Sequence, residues 1–189
     1  MTIPADPPAR HRAIAGDFAA RTERVTDWDA PSPVADWRTR DVVRHLVDWF
    51  PSFLEHGTGI KLPDVPSPDD DPVGAWREHA ANVQALLDDP ASADRVLSNQ
   101  HTGDVPLPEA IDRFYTSDVF MHTWDLARGA GLDDRLDPDE CAGMLAGMEP
   151  LADLLAGSGQ YGPRVPVADD ADAQTRLLGL IGRDPSWSS

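Results

Sequence analysis

The chain has 189 residues, 41% of them hydrophobic, and a formal net charge of −17. That length and apolar fraction suit one domain, residues 1–189, built around a single sizeable core. The acidic balance repels phosphate backbones and anionic lipid, which argues against nucleic acid and membrane surfaces as partners; its plainer meaning is a well-solvated surface.

The first residues, Met-Thr-Ile-Pro-Ala-Asp-Pro-Pro, lack a basic stretch followed by an apolar one, so no signal peptide is expected. No run of about 18 apolar residues occurs, so no transmembrane helix is expected either. The lone cysteine, Cys141, rules out an intramolecular disulfide and fits a reducing cytoplasm.

The elements read as helices almost throughout. A first helix is expected over Ala9–Val25, with His11, Ile14, Phe18 and Val25 on one face. A loop rich in Trp, Pro and Asp follows, from Asp27 to Trp37. Thr39 is placed to cap the next helix, whose stripe is Val42, Leu46, Trp49 and Phe53 with His45 at its edge. Pro51 should kink that helix or end its regular part, because it lacks an N–H and crowds the preceding turn.

Gly57 to Asp70 reads as a long loop. Asp71-Pro72 supplies an N-cap and a first-turn proline for a third helix, which Val73, Trp76, Val83 and Leu87 carry to Asp88-Asp89-Pro90. The run Arg95 to Gln100, with Gly103 beyond it, reads as a short β-strand of a hairpin or an extended loop. A long helix then starts near Pro108 and ends at Gly129 or Gly131. Asp137-Pro-Asp-Glu140 opens another helix, with Asp137 as cap and Glu140 reaching back, and this helix ends around Gly157. A tail from Gly159 to Val167 leads to a last helix holding Leu177, Leu178 and Ile181, stopped by Gly182 and Pro185. The pattern predicts an all-α protein, a four-helix bundle with additional short C-terminal helices.

One helix carries a conflict. Ile111, Phe114, Tyr115 and Leu126 mark its apolar face, and Asp118 and His122 fall inside that face. Burying a carboxylate and an imidazole costs several kcal/mol unless each finds a partner. Residues four apart on a helix are neighbours, about 6 Å apart at Cβ, so the two can grip one cation. His45, beside an apolar stripe on another helix, is the best third ligand. Three protein ligands and an open position are the pattern of catalytic zinc; nickel or ferrous iron accepts the same donors. The plainer reading pairs Asp118 and His122 with each other or with an arginine across the bundle.

Asp125 lies one turn beyond His122 and can orient a ligand imidazole, although a pairing with Arg128 is the commoner arrangement. Asp48, three residues after His45, has the same two readings. His56, His79 and His101 lack metal-site spacing. Cys141 follows a helix start that favours a thiolate, against acidic neighbours that oppose it. No Gly-rich phosphate loop, nucleophile elbow or Cys-x-x-Cys pair is present.

Three stretches are similar to a known group. Asp41-Val-Val-Arg-His-Leu-Val-Asp-Trp49 resembles the second-helix motif of the DinB-like superfamily and, more narrowly, the metal-binding N-terminal domain of mycothiol-dependent maleylpyruvate isomerases. Asp118-Val-Phe-Met-His-Thr-Trp-Asp-Leu-Ala-Arg128 resembles that group's metal-helix motif. Tyr161 to Asp170, with Gly182-Arg-Asp-Pro-Ser-Trp187, resembles the closing segment of an actinobacterial subfamily. The resemblance implies a DinB-like four-helix bundle with a divalent metal, usually zinc, whose ligands map onto His45, Asp118 and His122. It implies an intracellular transferase or isomerase that activates a low-molecular-weight thiol such as mycothiol against an electrophilic substrate. A metal-dependent hydrolase and a non-catalytic metal-binding protein are the rival readings, and homodimers are common among such bundles. The isomerase carries Glu where this chain has Asp118, and it has a further C-terminal domain.

Overall fold

The structure is a computed structural model and describes residues 2–100 and 103–188. Helix α1 spans Pro7–Thr22, α2 Thr39–Thr58, α3 Pro72–Asp88, and α5 Ser117–Gly129. A strand pair, β1 (Val96–Asn99) and β2 (Gly103–Pro106), precedes the short α4 (Leu107–Ala110). The helices α6 (Pro138–Met148), α7 (Ala152–Gly157) and α8 (Ala173–Leu180) follow α5. Packing neighbours are α1 with α3 and α5, and α2 with α3 and α5, which closes a four-helix bundle; α6 lies on α8. The all-α bundle expected from the periodicity is the fold observed. Among the described residues, no helix is long and apolar enough to cross a membrane.

Aspartate–proline starts set the helix beginnings. Asp6 accepts from the Ala9 amide at 3.2 Å, Asp71 from Gly74 at 2.8 Å, and Asp137 from Glu140 at 3.0 Å. The start of α2 differs from expectation. Thr39 does not cap; its hydroxyl donates to the Ala30 carbonyl at 3.2 Å, while the Asp41 carboxylate accepts the Arg38 amide at 2.8 Å. Glu140 does not reach back either, because its carboxylate is taken by the Arg10 guanidinium of α1.

Pro51 does not end α2, which continues to Thr58 and closes on Gly59, a left-handed residue with φ 74°. The proline removes one donor, leaving the Val47 carbonyl without its intrahelical partner. Val43, Phe50 and Leu54, all buried, hold the helix to the core on both sides of that gap.

The long helix expected from Pro108 is also not uniform. Residues Ile111–Thr116 form a π-helical segment between α4 and α5. The wider turn rephases the residues that follow. From Val119 to Ala127 every residue of α5 is buried, so α5 is the inner helix of the bundle rather than a helix with one apolar stripe. Aromatic rings fill the core around it: Phe18 on Trp76 at 4.3 Å and Phe50 on Tyr115 at 4.2 Å between centroids.

The hairpin reading of 95–103 holds: β1 and β2 are antiparallel, with Leu97 opposite Val105 and both buried. His101 lies outside the described residues. The helix expected to run to Gly157 breaks at Pro150, where a short 3-10 turn, Glu149–Leu151, separates α6 from α7. The closing segment turns at Gly182 (φ 81°), which sits against Gly162 so tightly that a Cβ there would lie 2.5 Å from the Gly162 backbone.

Candidate metal centre

Helices α2 and α5 lie side by side. His45 projects from α2, and Asp118 and His122 from consecutive turns of α5. The His45 Nε2 lies 3.3 Å from Asp118 Oδ2, and the His122 Nε2 lies 3.5 Å from Asp118 Oδ1. One ligand atom from each of the three falls within 4.8 Å of the others. The three residues singled out in the sequence therefore come together across 77 positions of chain, from 45 to 122.

The two histidine–carboxylate separations, each to a different Asp118 oxygen, lie near the donor spacing around one ion. Bonds of about 2.0–2.1 Å at tetrahedral angles set donor atoms about 3.3–3.4 Å apart. Two imidazole nitrogens and a carboxylate are donors that zinc, nickel and ferrous iron all accept. Exposure rises across the set, from 7% for the His122 side chain to 20% for Asp118 and 32% for His45. The open side is therefore that of His45.

That side faces a cleft of about 540 Å³ lined by Trp37, Arg44, His45, Asp48 and Trp49, with Asp36 and Asp41. Trp37 comes from the loop before α2 and stands over both imidazoles, at 5.1 Å from the His45 ring and 5.8 Å from the His122 ring. The loop is pinned there by the Ser32 amide donating to the Trp37 carbonyl at 2.9 Å. Trp49, one turn beyond His45, donates its indole N–H to Asp118 Oδ2 at 3.0 Å. The carboxylate is thus aimed in part by a neutral donor. Arg44 is drawn to Asp41 and Asp69. Asp48 lines the mouth of the same cleft.

Behind His122 lies a buried relay. Its Nδ1 is 2.8 Å from Asp125 Oδ2, and Asp125 is only 1% exposed. A carboxylate accepts, so Nδ1 carries the hydrogen, and in the neutral ring Nε2 is the nitrogen with a lone pair to offer a cation. Arg183 grips the same carboxylate twice, Nε to Oδ1 at 2.8 Å and Nη2 to Oδ2 at 2.9 Å. Burial alone would raise the Asp125 pKa, but the His122 and Arg183 contacts hold it below the usual carboxylate value. Burial would likewise lower that of His122, yet Asp118 and Asp125 outweigh it and leave the imidazole more basic than usual.

The alternative pairing of Asp125 with Arg128 does not occur: Arg128 binds Asp134 at 2.8 Å and the carbonyls of Pro185 and Trp187. The sequence reading missed Trp37 as a wall and Arg183 altogether. The Trp-Pro-Asp loop and the Gly182-Arg183 closing motif were visible, but nothing local tied them to the site.

The remaining candidates stand apart. His79 is buried against Phe50, Trp76 and Tyr115, and burial brings its pKa down to about 4. His11 is buried with Nδ1 at 2.9 Å from Gln84 Oε1. His56 is exposed and bonded to the Ser52 carbonyl at 2.6 Å. Cys141 is buried and its thiol is pushed up to about 12 by burial and by Asp137 and Glu140, so a thiolate is not favoured there.

Residues 11–58 match the family model of the mycothiol maleylpyruvate isomerase N-terminal domain. The chain is similar to that family over its first two helices. The match includes His45, Trp37 and Trp49; Asp118 and His122 lie beyond it. Two uncharacterized proteins, from two strains of Mycobacterium tuberculosis, are each 28% identical to the chain over 174 residues, covering 87% of this chain and 87% of each relative. Their source agrees with the actinobacterial character read from the closing motifs. No solved structure matches the chain.

Proposed function

We propose that His45, Asp118 and His122 hold a divalent cation, with zinc as the first choice, and that the chain is a thiol-dependent transferase or isomerase of the cytoplasm. The observation that carries the reading is the convergence of two imidazoles and a carboxylate, with ligand atoms within 4.8 Å of one another, beside an open cleft. The match to the mycothiol maleylpyruvate isomerase N-terminal domain favours a small thiol, mycothiol among them, as the ligand of the open side. We treat residues 1–189 as one domain of this type.

A divalent ion bound there would lower the pKa of a coordinated thiol and keep it as thiolate near neutral pH. The chain's own residues set the stage. His122 is fixed in the tautomer that offers Nε2. Trp49 aims Asp118, and its N–H limits how far that carboxylate can swing. Trp37 and Trp49 form apolar walls against which a ligand can lie, and they keep water from much of the imidazole pair. Asp118 is one methylene shorter than the Glu of the isomerase, and its carboxylate lies 3.3 Å from His45 Nε2 and 3.5 Å from His122 Nε2.

The test is elemental analysis of the purified protein and of Asp118→Ala, followed by thiol titration of the cobalt-substituted protein. One equivalent of metal, lost in Asp118→Ala, is expected, with a change in the visible spectrum on adding a small thiol. Metal content unchanged by the substitution removes the ligand assignment. Metal bound through these residues but blind to thiol removes the thiol chemistry and leaves a hydrolase or a non-catalytic metal protein.

A further inference from the structure

We propose that Arg183 is a positioning residue for the metal centre, so that the closing segment of the chain is a working part of the site. The inference rests on the reading of His45, Asp118 and His122 as ligands. It concerns a residue 58 positions away from the carboxylate it holds.

The argument starts from the carboxylate. Asp125 has two oxygens, and at 1% exposure neither can turn to bulk water. Arg183 donates to both in the forked geometry that fixes a carboxylate plane as well as its position. With that plane fixed, one direction on Oδ2 remains for the His122 Nδ1–H. The imidazole is therefore held by an acceptor that cannot rotate. If Arg183 is removed, the carboxylate is free to swing about its side-chain torsions. His122 then loses a constant acceptor at Nδ1, and its two neutral tautomers become comparable. The tautomer with hydrogen on Nε2 cannot ligate through that atom.

The segment that carries Arg183 is itself anchored to α5. The Arg183 amide donates to the Leu178 carbonyl at 2.8 Å, and Gly182 backs onto Gly162. Arg128 of α5 reaches the other way, to the carbonyls of Pro185 and Trp187 at 3.0 and 2.7 Å. Each element thus supplies an arginine to the other. Tyr161, in the stretch that contains Gly162, feels the charge of Asp118; burial and that charge both raise its phenol.

The experiment uses full-length Arg183→Met and Arg183→Lys. Zinc affinity is read by competition with a chromophoric chelator, and the His122 tautomer by nitrogen-15 NMR on metal-free protein. Arg183→Met is expected to bind zinc about tenfold more weakly, the lower end of the range for outer partners of metal ligands. Arg183→Lys, which keeps the charge and loses the fork, should fall between it and the wild type. In metal-free wild type, at an alkaline pH where the ring is neutral, His122 should be a single Nδ1–H tautomer, and in Arg183→Met a mixture. Wild-type zinc affinity in a folded Arg183→Met, or an unchanged tautomer, overturns the proposal. If Arg183→Met does not fold, Arg183→Lys decides it by the same two readouts. If the wild type binds no zinc, the ligand reading fails, while the metal-free tautomer comparison still judges the role of Arg183.

Discussion

At the scale of single residues, the site is defined by who holds Asp118. Its carboxylate is 20% exposed and faces the Trp49 indole N–H at 3.0 Å and the His45 Nε2 at 3.3 Å. A net hydrogen bond to a charged acceptor is worth about 1.5–3 kcal/mol. Trp49→Phe keeps an aromatic wall and removes that donor. The expected outcome is a folded protein whose zinc affinity drops by roughly 10- to 100-fold, the range for outer hydrogen-bond partners of a ligand. Isothermal titration at constant pH checks it. An unchanged affinity means that Asp118 is aimed by the helices alone. Two of the candidate ligands, Asp118 and His122, were legible because they are polar where the helical period demands apolar groups, and His45 because it borders the apolar stripe of another helix. Asp125 was half legible, since its spacing from His122 is local. Arg183 and Trp37 were not, because only the folded chain brings a closing segment and a loop to α5.

At the scale of elements, two departures from regular helix have opposite meanings. Pro51 sits in the interior of α2, and the Val47 carbonyl lacks its partner there. Pro51→Ala restores that bond and removes the ring's clash, against a smaller loss from a more flexible unfolded chain. A stabilisation on the order of 1 kcal/mol is expected, read as a higher urea midpoint with an unchanged slope. A lower midpoint means that the proline ring packs in a way an alanine cannot replace. Gly182 behaves in the contrary sense. With φ 81° and a Cβ position 2.5 Å from the Gly162 backbone, Gly182→Ala strains the turn and pushes the closing segment outward. It should destabilise by about 2 kcal/mol and, by displacing Arg183, weaken zinc binding as well; denaturation and chelator competition read the two effects separately. The starts of α3 and α6 were legible because Asp71-Pro72 and Asp137-Pro138 announce them. The π segment was not, since Ile111–Thr116 carries no breaker residue.

At the scale of the whole molecule, the bundle encloses a histidine with nothing to gain from charge. His79 is 1% exposed, ringed by Phe50, Trp76 and Tyr115, and burial brings its pKa from the ordinary 6.5 to about 4, helped by nearby His11. The unfolded chain therefore binds a proton that the folded chain refuses, across the window from about pH 6.5 to 4. Stability from this group is fully present above pH 6.5, declines as the pH falls, and is lost by the folded value near 4. At about 1.4 kcal/mol per pH unit, the whole window is worth on the order of 3 kcal/mol. His11, also held low by burial, adds in the same direction. The comparison that isolates His79 is His79→Leu, similar in bulk and unable to protonate. Urea unfolding at pH 7 and at pH 4.5 should show a clearly smaller acid loss in His79→Leu than in the wild type. Equal losses in the two proteins place the acid sensitivity in the carboxylate pairs, such as Asp125 with Arg183, and acquit the core histidine.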